Sequence, residues 1–313
     1  MSFIKKIPVE TMLSVLPLTL GTLVMIGWYI KSTLLLQIHP SFVPMQYNTA
    51  LEVFLSGLAF ILKISNKSLA SKLLSAIILA IGLLTLLEYI FDVNIGIDEL
   101  LMHHYVTVET SHPGRMAPNT ALCFTLFSIW VFISEPNANI SFITSWFISI
   151  LVISLGLAAF LGYVFNLKEA YGWAHMTRMA LHTSLGFLVL GLSGLIFFIR
   201  FHKKLPFSEV YPAACAGFVC FLTTATIWAT VADTTMQKRF ESISQVLILI
   251  AGSAFSILIT FCIYFWGRVK GEKENLWIAV KNKEKELKLL HKKTLTMRKW
   301  HRLAGSQVEL LMK

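Results

Sequence analysis

Eight stretches of this chain are each close to the roughly 20 residues that a bilayer-spanning helix needs, and each is built almost wholly from apolar side chains: 12–30, 48–64, 72–91, 118–134, 143–165, 181–199, 210–231 and 244–267. Composition agrees with that pattern. Hydrophobic residues make up 56% of the 313 positions and charged residues 14%, with a mean hydropathy of +0.68, which is too apolar for an ordinary soluble domain. The expected class is an all-α, polytopic membrane helix bundle of about eight transmembrane helices over residues 1–270, followed by a charged C-terminal helix over 271–313. No small-residue cleavage pattern follows the first run, so it reads as a retained span and not as a signal peptide.

A phrase recurs at the start of three runs: Val43-Pro-Met-Gln-Tyr-Asn-Thr-Ala-Leu-Glu-Val53, Gly114-Arg-Met-Ala-Pro-Asn-Thr-Ala-Leu-Cys-Phe124 and Thr177-Arg-Met-Ala-Leu-His-Thr-Ser-Leu-Gly-Phe187. Met45, Met116 and Met179 align, as do Asn48, Asn119 and His182, and Thr49, Thr120 and Thr183. A second phrase is shared by Gly82–Phe91 and Gly156–Phe165. Self-similarity at this level marks a repeated structural unit. It predicts three helical hairpins, each opened by the first phrase, with one leading helix before them and one exit helix after.

Sidedness follows from charge. No Lys or Arg is expected in the interior of a run. Lys5, Lys6, Lys63, Lys67, Lys72, Arg200, Lys203 and Lys204 fall on the N-terminal side; Lys31, Arg115, Lys168, Arg178, Lys238 and Arg239 fall opposite. The other 13 of the 27 basic residues lie from Arg268 onward, also on the N-terminal side. Both termini are therefore expected in the cytoplasm. Trp28 and Trp228 fall at outer run ends and Trp130, Trp146 and Trp266 at inner ones, the level an amphipathic ring prefers. Most of the net charge of +10 resides in the tail, with 13 basic against five acidic residues, which suits an anionic inner leaflet; with no recognition module present, no nucleic-acid partner is expected.

The three repeated helix starts define the expected site. Asn and Thr at a helix start cap orphan amides, and Pro118 lacks only an amide that would have no helical partner, so capping and packing account for these positions. A binding role accounts for what capping leaves over. Three parallel helix starts would aim their amides at one outer vestibule, and Arg115 and Arg178 would make it cationic. Glu52 and Glu88 are the acids inside runs, and ionisable groups at that depth find a partner or a cavity. They are expected to meet Arg115, Arg178 or His182, either as the floor of a ligand pocket or as ties between hairpins. The expected ligand-binding set is Glu52, Glu88, Arg115, Met116, Asn119, Arg178 and His182, with no catalytic residue. His39, His103, His104, His112, His175 and His182 gather on the outer side without compact metal-motif spacing. No metal or other cofactor is assigned, and these histidines serve as polar loop residues or as a pH-sensitive rim, with a metal site left open as the third reading.

The loops leave no room for a separate extracellular domain, so the stimulus must be small, lipophilic or borne by membrane lipid. Past Trp266 the chain becomes a charged helix. Val280, Leu287, Leu290 and Met297 form a seven-residue stripe, which fits a parallel homodimer stalk or a solvated amphipathic helix.

With the phrases 114–124 and 177–187, residues 40–270 resemble the N-terminal multi-span sensor regions of bacterial histidine kinases and diguanylate cyclases, of the membrane-associated sensor type. The resemblance implies an input module of the bacterial inner membrane that passes a signal to a cytoplasmic kinase or cyclase. His291 and His301 lack the acidic, Pro-containing box of a phosphorylated histidine, and no Gly-rich phosphate loop is present. No catalytic domain is expected within the chain, and its output would follow it or act as a separate partner. A transporter, or an intramembrane enzyme, stays open beside the sensor reading.

Overall fold

Helices account for all regular structure in the computed structural model, which describes residues 9–106, 108, 110–134, 139–173, 176–201, 210–234 and 242–311. Lys5, Lys6, His175, Lys203, Lys204, Lys238 and Arg239 lie outside the described residues. The helices are α1 (Val9–Ile30), the short α2 (Thr33–Gln37), α3 (Tyr47–Ile64), α4 (Ser68–Phe91), α5 (Pro118–Ile133), α6 (Asn139–Val164), α7 (Leu181–Phe201), α8 (Val210–Thr234) and α9 (Ser242–Leu311). All eight apolar runs lie on helices, apart from single residues at their ends. Among the described residues, five helices are long and apolar enough to cross a membrane: α1, α3, α4, α6 from Thr144, and α9 from Leu249. Shorter apolar segments occupy α5, α7 and α8. These helices mark a membrane protein.

The helices associate in pairs, and the pairing corrects the expected phase of the repeat. α1 packs on α3, α4 on α5, and α6 on α7. In each pair a glycine of the first helix lies against the backbone of the second. A methyl group on Gly21 would stand 2.5 Å from the Ala50 carbonyl oxygen, one on Gly82 3.1 Å from that of Ala121, and one on Gly156 2.9 Å from that of Ser184. Ala50, Ala121 and Ser184 are the aligned small residues of the repeated phrase. Seven residues after each glycine comes an aromatic donor to the aligned methionine carbonyl. Trp28 Nε1 donates to Met45 at 2.9 Å, Tyr89 Oη to Met116 at 3.0 Å and Tyr163 Oη to Met179 at 2.8 Å. α1 is thus the first copy of the second phrase and no lone leading helix. Its Ser14, Gly21 and Trp28 correspond to Ser75, Gly82 and Tyr89 and to Ser149, Gly156 and Tyr163. Small residues at such contacts let backbones approach closely, which is how helices associate where burial from water gives no drive. Tyr163→Phe removes one of these bonds while keeping the ring, so it should lower stability by about 1 kcal/mol in a denaturation series in detergent micelles.

The pairs form a ring. α3, α5 and α7 touch one another at the centre, while α1 sits between α7 and α3, α4 between α3 and α5, and α6 between α5 and α7. α8 packs on α6 and carries α9 as its own partner. Trp28 and Trp130 are core residues and do not belong to an interfacial belt, each 2% exposed; Trp130 packs against Phe60 and Phe197. Lys63 stands near the end of its run. It lies in the last turn of α3, buried, and its Nζ donates to the Val131 carbonyl at 3.1 Å. Carbonyls in the final turn of α5 lack helical partners, and a cation there is favoured by the helix dipole.

The candidate site: a buried ion cluster beneath a polar cavity

The three loops 31–46, 92–117 and 165–180 lie at one end of the bundle, where each pair turns. In two of them a glycine precedes or falls one turn from the loop: a methyl on Gly27 would meet Leu35 Cβ at 2.6 Å and one on Gly162 would meet Ala170 Cβ at 2.8 Å. The loop there presses directly on its helix. In the middle pair the same position is Glu88, and the loop after it is longer and wraps the carboxylate.

The result is a compact cluster. Ile95 N–H donates to Glu88 Oε1 at 2.8 Å. Arg115 Nε donates to Asp98 Oδ2 at 2.8 Å and lies 3.3 Å from Glu88 Oε2, while Arg115 Nη2 donates to the Val93 carbonyl at 3.1 Å. The guanidinium stands 5.3 Å from the Tyr89 ring centre, a favourable cation–π placement. Exposure is 1% for Arg115, 0% for Glu88 and 6% for Asp98, so one guanidinium is buried between two carboxylates. Gly114 is required beside it. Its φ is +73° and an added methyl would lie 2.6 Å from the Asp98 carbonyl oxygen, a position open to glycine alone.

Neighbouring pairs hold these loops through the repeated Asn. Asn48 Nδ2 reaches the Ile97 carbonyl at 2.9 Å and that of Asp98 at 3.2 Å, and Asn119 Nδ2 reaches the Tyr171 carbonyl at 3.3 Å. The capping expectation is therefore corrected: the N-cap positions are Gln46 and Ala117, neither with a side-chain cap bond, and the amides tie each pair to the next loop. Only the third position breaks the series. His182 is 3% exposed and neither ring nitrogen has a hydrogen-bond partner.

Of the expected site residues, the structure brings together Glu88 and Arg115. Glu52 does not join them; it is fully buried on α3 with both oxygens unpartnered. Arg178 lies over the Tyr171 ring at 5.9 Å, and Met116 is a core residue whose carbonyl accepts from Tyr89. The three helix starts are themselves buried, Asn48 at 5%, Asn119 at 2% and His182 at 3% exposure. Asp98 and Tyr89 were missed. Tyr89 was legible, being the aligned aromatic of the second phrase, whereas Asp98 sits in an irregular loop with no periodicity to mark it.

Two cavities open over this loop. One, of about 350 Å³, is lined by Asn94, Gly96, Asp98, Glu99, Leu100, His112 and Pro113, so Asp98 joins the cavity to the cluster. The other, of about 510 Å³, lies between Trp28, Tyr29 and Lys31 of the first pair and residues Glu99 to Tyr105. Among the described residues no group of three His, Cys, Asp or Glu side chains is placed to hold a metal ion. His104 in the second cavity has its pKa lowered by burial, partly offset by Glu99. Protonation therefore favours the unfolded chain, and stability that is present above a pH of about 6.5 is lost as the pH falls. His104→Gln should flatten the stability–pH curve on the acid side of neutrality, as measured by thermal unfolding at stepped pH.

No protein-family model, curated protein or solved structure matches the chain.

Proposed function

We propose that the chain is the membrane-embedded input module of a bacterial signalling system, with eight spans arranged as four helix pairs, both termini in the cytoplasm of the inner membrane, and a kinase or cyclase as its output. The stimulus is small, lipophilic or carried by the bilayer, and the buried cluster with its cavities is where it acts. The observation that carries this reading is α9. It runs unbroken for 70 residues from the apolar segment that pairs with α8 to Leu311. At about 1.5 Å per residue it is on the order of 105 Å long, several times the depth of a hydrocarbon core. Past Trp266 its surface turns charged without a break in the backbone, and pairs such as Arg268–Glu272 and Glu284–Lys288 support it one turn apart. A rigid rod joined to a bundle transmits rotation or translation to whatever it carries. A second copy pairing along α9 would make that rod the stalk of a homodimer.

The test is a helical-phase series. A diguanylate cyclase is fused after Lys313, and one to four alanines are inserted after Gly271. Cyclase output that rises and falls with the helical period, and that shifts in the Arg115→Ala background, is expected. Output indifferent to both changes, with solute uptake by proteoliposomes of the chain alone, would replace the relay with transport.

A further inference from the structure

The loop after α4 alternates in a way that the buried cluster explains. Val93, Ile95, Leu100 and Leu101 present their side chains outward, Leu100 at 75% exposure, and the patch continues onto Ile90 and Phe91 at the end of α4. The backbone between them is bound inward. The Val93 carbonyl accepts from Arg115 and the Ile95 N–H donates to Glu88. The Ile97 and Asp98 carbonyls accept from Asn48, the Val93 N–H donates to the Glu88 carbonyl, and the Gly96 N–H donates to Asn94 Oδ1.

A loop in water has no use for such an arrangement, since solvent satisfies its amides and carbonyls without burying an arginine and two carboxylates. Irregular backbone at membrane depth has the opposite need. It persists there only where the backbone is buried in protein or lines a water-filled cavity, so at the interface the side chains alone can turn to lipid. Tyr105 fastens the far end of the same loop to α1 through a 3.0 Å bond to the Trp28 carbonyl, next to the exposed apolar end of α1 at Tyr29 and Ile30. The patch therefore lies between the ends of two helices long and apolar enough to span.

We propose that residues 93–101 lie in the interfacial layer of the bilayer, with Val93, Ile95, Leu100 and Leu101 against lipid acyl chains and Glu88, Arg115 and Asn48 acting as internal solvent for their backbone. The partner is the lipid bilayer itself, and the contact stands whether or not α9 drives an output. Lipid packing around this loop bears directly on the ion cluster, because the same residues meet both.

Val93, Ile95 and Asn94 are replaced singly by the photoreactive benzoylphenylalanine in the full chain, reconstituted in vesicles of phosphatidylcholine and phosphatidylglycerol. Adducts after irradiation are identified by mass spectrometry. Lipid adducts at positions 93 and 95 several-fold above those at 94, which lines the polar cavity while Val93 and Ile95 do not, are expected. Equal lipid labelling at the three positions, or a protein–protein cross-link as the main product at 95, overturns the proposal, the latter making the patch a protein interface. Each variant must elute from size exclusion as the wild type does, and Phe91, 67% exposed at the end of α4, replaces Val93 where that variant fails to fold.

Discussion

Arg115→Ala should destabilise the bundle by about 3–5 kcal/mol, the range for removing one partner of a buried ion pair. The size comes from what is left behind, not from what the pair contributes. Glu88 and Asp98 stay buried, now as two like charges with no cation, and the Val93 carbonyl loses its donor. Arg115→Lys keeps the charge yet cannot bond Asp98 and Val93 from one planar head, so it should cost less than alanine and more than nothing. Glu88→Gln should be the mildest change. It retains an acceptor for the Ile95 amide and leaves a one-to-one pair between Arg115 and Asp98. Unfolding in mixed micelles, followed by circular dichroism, gives the order. A tolerated Arg115→Ala with a severe Glu88→Gln would show that the cluster is not held together as described.

Gly21→Val should prevent the first pair from forming, with a loss at or above the roughly 1–3 kcal/mol typical of an overpacked core. Even the first added carbon would stand 2.5 Å from the Ala50 carbonyl oxygen and 2.6 Å from the Phe54 nitrogen. Both obstacles are backbone atoms of α3, so no rotamer change relieves the clash and the two helices must separate. Separation would stretch the Trp28–Met45 bond beyond hydrogen-bond length, since it joins α1 to the residues that lead directly into α3. Gly186→Ala is the matched control. Its added carbon would meet only side-chain atoms, at 3.7–3.9 Å, and a mid-helix alanine is favoured over glycine by about 1 kcal/mol, so this variant should be at least as stable as the parent. Monodispersity and melting of the two variants in the same detergent separate the cases, and equal behaviour would count against a small-residue contact as the basis of pairing.

Helix positions were legible because they depend on neighbours within one turn. A run free of charge and about 20 residues long satisfies its own backbone, whatever surrounds it. The Glu88–Arg115 partnership was legible for a related reason: in so apolar a chain a buried charge has few candidates to meet. Its third member was not. Asp98 reaches Arg115 through the path of a loop, and α1 hid its membership of the repeat by carrying Trp28 and Gly27 where the middle pair has Tyr89 and Glu88.

Taken alone, then, the residues of this chain determined an all-helical membrane protein and named the phrase that recurs in it, since apolarity and i to i−4 bonding are local properties. Which helix lies against which, and what the repeated asparagines hold, was decided only by the tertiary structure. Gly21 and Ala50, Asn48 and Asp98, and Glu88 and Arg115 are far apart in sequence. Their contacts exist because chain turns and close backbone approach bring them together, and no local pattern encodes where a loop folds back.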